Sequence, residues 1–308
     1  MSNWYACELH CHTKHSDGEF STEQLVKTAK ERLLDGICIT DHNTISAFKD
    51  CENIAFPTIL NGVELTTYYG HILVLGTKDY IDWAGATPDN VDSILKKAQN
   101  KNGIVGIAHP FQLGTPICTG GHWDYKVKDF SLINYIEIWS EGNPFMNTAN
   151  KRAYDMWLSL LDKGYKISAA FGRDWHNAEN DIFPTACTYL KSSSNSFTKQ
   201  DMLLAIKNGQ TVLSIGPLFV FQIKNGKAEF MTDFTRFNKI NKEMKIEPKK
   251  IRLLTNGNKE ILSVAYKEKV TTETDFQKGN YYIAELYGTV NGKENCLISL
   301  TSPVYFGY

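Results

Sequence analysis

At 308 residues, 42% of them hydrophobic and 22% charged, the chain has the length and balance of one or two ordinary globular domains. Lys plus Arg is 33 and Asp plus Glu is 34; the formal charge of −1 gives no electrostatic case for a nucleic acid polymer or an anionic membrane surface. No stretch approaches the roughly 18 apolar residues of a membrane span, and the N-terminus lacks a basic segment followed by an apolar one, so neither insertion nor export is expected.

Taken in order, the first two thirds of the chain alternate apolar, β-branched runs with helix signals. Strands are expected at 4–12, 36–42, 58–66, 71–76, 103–110, 135–140, 166–172 and 211–216. Ser21-Thr-Glu-Gln24 reads as a capping box ahead of Leu25, Val26 and Ala29. Thr87-Pro88 reads as an N-cap and first helical position, with that helix running to Gly103. Helices at 149–161 and 198–206 close at Gly164 and Gly209. Such alternation predicts parallel strands with right-handed crossovers, as a barrel or a doubly wound sheet.

After Gly216-Pro217 the texture changes. Short runs at 218–223, 251–255, 261–266, 279–287 and 296–299 are separated by Asn225-Gly226, Asn256-Gly257 and Asn291-Gly292 turns, with 232–250 as a polar insertion. The composition shifts too. All eight His and all six Trp lie at or before residue 176, and residues 217–308 carry 14 basic and 10 acidic side chains against 19 and 24 in the first 216. Two regions are therefore expected, 1–216 and 217–308, the second a small antiparallel β-sandwich. The seven cysteines are scattered without a CxxC pair and read as reduced thiols of a cytoplasmic protein.

The chemistry concentrates at strand ends. Glu8-Leu-His10-Cys-His12, Ser16-Asp17-Gly18, Thr40-Asp41-His42, Gly62-Val-Glu64, Gly70-His71, Ala108-His109-Pro110 and Asp174-Trp-His176 put six of the eight His in or beside strand ends, most of them with a carboxylate close by. On a strand His10 and His12 share a face and would grip one ion, whereas Cys11 points to the core. In an α/β barrel the strand ends converge on one mouth, and imidazoles with carboxylates there suit Zn, Mn or Fe. His15 is expected at the rim of this site and His122 at the surface. Glu137 alternates with Ile136 and Ile138, so it faces either the mouth or a buried ion pair. Trp139, Glu141 and Asn143 follow at the same strand end as pocket candidates, Trp139 being the better core filler.

In their order these motifs resemble the PHP (polymerase and histidinol phosphatase) metallohydrolases, and more narrowly the CehA/McbA-like branch. The motifs cover 8–176; the trailing β-region, ending in Leu300-Thr-Ser-Pro303, is similar to the C-terminal module of that branch. The resemblance implies a distorted (β/α)7 TIM-like barrel with up to three divalent metal ions (Zn, Mn or Fe) at its mouth. His10, His12, Glu64 and Asp174 would hold the first ion. Glu64 would bridge to a second, completed by His109 and His71, and Asp17, His42 and His176 would hold the third. Asp41 would orient a ligand imidazole, or cap a helix ahead of Thr44–Phe48, or both. The sequence departs from the family at Gly172-Arg-Asp-Trp-His176, where Arg173 and Trp175 replace small residues.

The expected reaction follows from charge. Three divalent ions outweigh the carboxylates of Asp17, Glu64 and Asp174 even with a bridging hydroxide, and the positive remainder suits a phosphate dianion. A phosphoesterase acting on a small phosphate monoester, a nucleotide or sugar phosphate, is the first reading. Glu64 and Asp174 are then catalytic residues, with Arg173 or Lys14 as further phosphate contacts. Ester, amide or carbamate hydrolysis of CehA type is the alternative. Oligomeric state is not legible.

Overall fold

A computed structural model of the protein describes residues 3–113, 121–141, 147–179, 183–194, 196–241 and 243–307. The elements run β1 (Asn3–Cys11), α1 (Thr22–Glu31), β2 (Gly36–Ile39), β3 (Thr58–Thr67), β4 (Gly70–Leu75), α2 (Val91–Asn100), β5 (Ile104–Ile107), β6 (Tyr135–Ser140), α3 (Thr148–Asp162) and β7 (Ser168–Gly172). They continue with β8 (Cys187–Ser192), α4 (Lys199–Lys207), β9 (Thr211–Ser214), β10 (Leu218–Lys224), β11 (Lys227–Asp233), α5 (Thr235–Ile240) and β12 (Ile246–Thr255). Last come β13 (Lys259–Ala265), β14 (Lys269–Glu273), β15 (Tyr281–Val290), β16 (Lys293–Thr301) and β17 (Val304–Tyr305).

Local signals explain most helix ends. Ser21 and Gln24 form the expected capping box of α1, and Thr198 with Asp201 forms another for α4, each stabilising its helix by about 1 kcal/mol. The helix expected from Thr87 begins later, at Val91. Asn90 Oδ1 accepts from the Thr87 N–H at 2.8 Å, so that segment closes as a turn instead of starting the helix.

Fourteen strands make one large sheet, in the order β13-β12-β15-β16-β9-β8-β1-β2-β3-β4-β5-β6-β7 with β17 paired to β15. Two parallel sets, β1-β2-β3 and β5-β6-β7, are joined through β4, which runs antiparallel to both neighbours. The fold is thus mixed α/β, and the expected closed barrel is not formed. The sheet is open: β7 forms no ladder with β1, and the segment just after it meets β1 through an isolated parallel bridge between Cys11 and Trp175. Asp174, with φ of +53°, turns the backbone out of extended geometry directly after β7, so no ladder propagates there.

The C-terminal strands do not stand apart as their own sandwich either. Ser299–Thr301 of β16 pairs with Val212–Ser214 of β9, which carries β12, β13 and β15 into the large sheet; only β10, β11 and β14 form a second, three-stranded one. Ile251, Leu253, Ile283, Ile298 and Leu300 share a core with Trp157, Phe171 and Leu213, and Phe219, Phe221 and Phe230 of the small sheet join it. Burying one continuous apolar face in this way removes more surface from water than two separate cores would. The expected insertion at 232–250 contains α5 and the first half of β12. From α5, Arg236 donates to the carbonyls of Arg32, Leu33 and Thr185 at 2.6, 3.0 and 2.7 Å, fastening the end of α1. No described helix is long and apolar enough to cross a membrane.

Candidate metal centre

The centre is built where β1 ends. Alternation on β1 turns His10 and His12 to one face and buries Cys11 on the other. Beside them runs the segment after β7. The His12 N–H donates to Trp175 O at 2.9 Å and the Trp175 N–H donates to His10 O at 3.0 Å. This pairing sets Asp174 and His176 alongside His10 and His12, while Trp175 packs into the core with Cys11 and Phe20. Glu64 arrives from β3, separated from β1 by β2, and is fully buried.

Four atoms converge here. His10 Nε2 lies 3.2 Å from Glu64 Oε2 and 3.3 Å from Asp174 Oδ1, and His12 Nε2 lies 3.3 and 3.0 Å from the same two oxygens. All four are buried, and none has a hydrogen-bond partner. Orphaned polar atoms in such number are costly unless something else satisfies them. The other Glu64 oxygen, Oε1, faces His71 Nδ1 at 2.8 Å and His109 Nε2 at 3.2 Å. A third group gathers on Asp17: Oδ1 is 3.2 Å from His176 Nε2 and 3.7 Å from His12 Nδ1, and Oδ2 is 3.4 Å from His42 Nε2. In each of three sets, His10–His12–Glu64–Asp174, His42–Glu64–His71 and His12–Asp17–His42–His176, the donor atoms lie within 4.8 Å of one another. Imidazole nitrogens and carboxylate oxygens so arranged fit divalent transition ions.

All nine expected ligand residues are therefore brought together, although His71 arrives by an unexpected route. Because β4 is antiparallel, it is the start of this strand, at Gly70-His71, that reaches the mouth; a tight turn closed by Thr67 Oγ1 donating to Gly70 O at 2.8 Å puts it there. His109 and Asp174 both hold positive φ, +24° and +53°. Backbone strain of this kind collects at functional sites.

The electrostatics bind the groups into one unit. Burial alone would raise the carboxyls of Glu64, Asp174 and Asp17, yet the imidazoles around them hold all three well below the ordinary carboxylate range. Burial alone would lower the imidazoles; instead hydrogen bonds that His42 donates to Asp17 and Glu64 lift it to about 10, and Glu64 lifts His109 to about 9.

Supporting residues surround these donor groups. Glu137, fully buried, faces His10 Nδ1 at 3.1 and 3.2 Å through its two oxygens and accepts from the His109 N–H at 3.2 Å, so it meets both alternatives left by its strand position. Asp41 neither orients an imidazole nor caps a helix. It accepts from the Thr13 N–H (2.7 Å), Thr13 Oγ1 (2.8 Å) and Ser16 Oγ (2.7 Å), and so ties down the loop that carries Asp17. That loop closes against β1 because Gly18 has no side chain; a Cβ there would sit 2.5 Å from the His12 carbonyl. Thr66 Oγ1, which no sequence signal marks, hydrogen-bonds His42 Nδ1.

Arg173 does not reach the mouth. Its guanidinium pairs with fully buried Glu8 at 2.5 Å and donates to the carbonyls of Phe183 and Ala186 at 3.0 and 2.7 Å. Asp174 faces the donor cluster, whereas Arg173 turns to Glu8 and Trp175 to the core. Lys14 is exposed on the Asp17 loop. His15 sits at the rim, bonded to Ser46 Oγ at 2.7 Å and Asp50 at 2.8 Å, and His122 contacts Pro110 O at 3.1 Å. Trp139 is core, Glu141 is exposed, and Asn143 lies outside the described residues.

The chain belongs to the PHP-domain family, whose sequence profile matches residues 8–166, just over half of its length. It is 30% identical over 125 residues, 36% of this chain and 69% of the other, to an uncharacterised protein of Methanocaldococcus jannaschii. Among solved structures it is similar to a two-domain protein of Bacteroides vulgatus described as containing a predicted PHP-like metal-dependent phosphoesterase. The two are 14% identical, with a TM-score of 0.56 over 98% of this chain and 96% of that one, a likeness of fold. An amidohydrolase from Chromobacterium violaceum matches over 65% of this chain and 96% of its own, with 14% identity and a TM-score of 0.41.

Proposed function

We propose that this protein is a metal-dependent hydrolase of small phosphate monoesters, nucleotide or sugar phosphates. The observation that carries the reading is the convergence of four buried, unpartnered donor atoms from His10, His12, Glu64 and Asp174, with two further donor groups sharing Glu64 and His12. In this reading His10, His12, Glu64 and Asp174 hold one ion, Glu64 with His71 and His109 a second, and Asp17, His42 and His176 a third. Bound Zn, Mn or Fe would supply Lewis acidity and make water a nucleophile near neutral pH. Glu64 divides its two oxygens between neighbouring groups and keeps them in register. Asp174 and Asp17 set the spacing between the first and third groups, and Glu137 fixes the ring of His10 so that Nε2 faces the cluster. Arg173 holds Glu8 and contacts no substrate, so recognition of the phosphate charge falls to the ions.

The ligand order and the trailing β-strands support placement in the CehA/McbA-like branch, and the change in composition near 216 supports regions 1–216 and 217–308 as units. The six described cysteines are free and buried, in keeping with a cytoplasmic setting.

The test is inorganic phosphate release from a panel of nucleotides and sugar phosphates with added Mn or Zn, parent against Asp174→Asn. Release by the parent, reduced more than about 100-fold in the variant, is expected, since losing a ligand exceeds the 10–100-fold effect of losing its supports. Silence across the panel from metal-loaded protein would overturn the phosphate reading in favour of ester, amide or carbamate hydrolysis.

A further inference from the structure

A second cavity lies at the opposite end of the strands that build the metal centre. Its volume is about 890 Å³, the size of a small-molecule pocket. It opens at Asn61 near the start of β3, at Gly76 just past the end of antiparallel β4, at Ile104 where β5 begins and at Asn134 before β6. Glu64, His71 and His109 lie on or beside β3, β4 and β5 at their other ends, roughly 10–17 Å of strand away. The two sites therefore share their walls and not their openings.

The charge of this cavity is one-sided. Lys78, Lys199 and Lys207 border it, and no Asp or Glu does. In a chain of net charge −1 that is a local concentration of positive potential. Nearby lysines behave differently: Lys97 pairs with Asp82 at 3.6 Å and Lys101 with Asp79 at 3.7 Å. Among the described residues Lys78, Lys199 and Lys207 make no ion pair. Asn134 uses Oδ1 to accept from the Val105 N–H at 2.8 Å, which leaves its NH2 group to donate. Leu60, Ile104 and Leu203 supply an apolar wall beside these donors.

We propose that this cavity is a second binding site, separate from the metal centre, for a small soluble molecule that carries more than one phosphate charge. Three ammonium groups outnumber the single charge of a carboxylate and match a diphosphate, which Lys binds as a point charge. The apolar wall receives the uncharged part of the ligand.

Calorimetric titration of the full chain tests this, with chelator present so that ions in the metal centre cannot recruit the anion. The probes are pyrophosphate and ADP. Saturable binding of one equivalent is expected, weakening as salt rises. It should fall at least about tenfold in the triple variant Lys78→Gln/Lys199→Gln/Lys207→Gln and survive in the matching Arg variant. All three lysines are exposed, so circular dichroism should show the variant folded. No saturable binding by the parent overturns the proposal. Equal binding by the Gln variant also overturns it, because the anion then sits among the histidines. Neither result depends on catalysis, so the phosphoesterase reading stands or falls separately.

Discussion

His10 carries two different burdens on its two nitrogens. Nε2 faces Glu64 and Asp174, and Nδ1 faces Glu137. Glu137→Gln keeps the shape and removes the charge, so metal affinity should drop about 10–100-fold, read by competition with a chromophoric chelator, with the fold intact. Unchanged affinity would leave Glu137 a packing residue. Gly172 guards the same contact: a Cβ there would sit 2.1 Å from Glu137 Oε1 and 2.8 Å from His10 Cβ. Gly172→Ala should therefore lose both melting temperature and metal affinity, and a variant that retains both refutes the argument. Arg173 gives the contrasting case. Arg173→Met strands the fully buried Glu8 carboxylate and should cost about 3–5 kcal/mol in denaturant unfolding. The alternative, a substrate contact, would raise KM and leave stability alone. At this scale the pairing of His10 with His12 on one face was legible, because alternation on a strand sorts side chains by face. What it could not give is partners: nothing near Asp41 in the chain points to Thr13 or Ser16.

Among the elements, the parallel strands and most helix ends followed from periodicity and caps, whereas strand direction did not. The run 71–76 reads as a strand in either orientation, and only the turn at Thr67–Gly70 makes β4 antiparallel. β14 went unseen for a related reason: an exposed alternating strand such as Lys269–Glu273 has little apolar content to mark it. β15 offers a test in pH. Burial lifts Glu285 above the ordinary 4.5, although Tyr154 donates to it at 2.8 Å and Arg252 lies 3.5 Å away. The folded state then holds this proton more tightly than the unfolded chain. The stability it adds is complete below pH 4.5 and is lost as pH rises through the raised folded value. Glu285→Gln should accordingly gain on the parent in urea unfolding as pH climbs from about 4.5 toward neutral, and a constant difference across that range would exclude the linkage.

For the whole molecule, composition announced two regions, but not that the later strands would continue the earlier sheet. Edge pairing such as β16 with β9 depends on backbone groups that every residue carries, so the sequence holds no mark of it. The metal centre sets a global expectation. Ions that bind only the folded chain stabilise it by mass action, about 4 kcal/mol when free metal is 1,000 times its dissociation constant. Chelation should lower the melting temperature and re-addition of Mn or Zn restore it; an unchanged melting curve would mean that the donor groups hold no ion in the folded protein.

The bridge between Cys11 and Trp175 joins segments at opposite ends of the first region by two amide hydrogen bonds, with His10, His12, Asp174 and His176 flanking it. An ion shared by these side chains would act as a rivet across a seam that the backbone alone closes weakly. Solvent exchange at the His12 and Trp175 amides would then time the breathing of that seam, slow in the loaded protein and fast in the stripped one. How long the protein keeps its metal would be decided by the rate at which the first strand parts from the last turn of its own mouth.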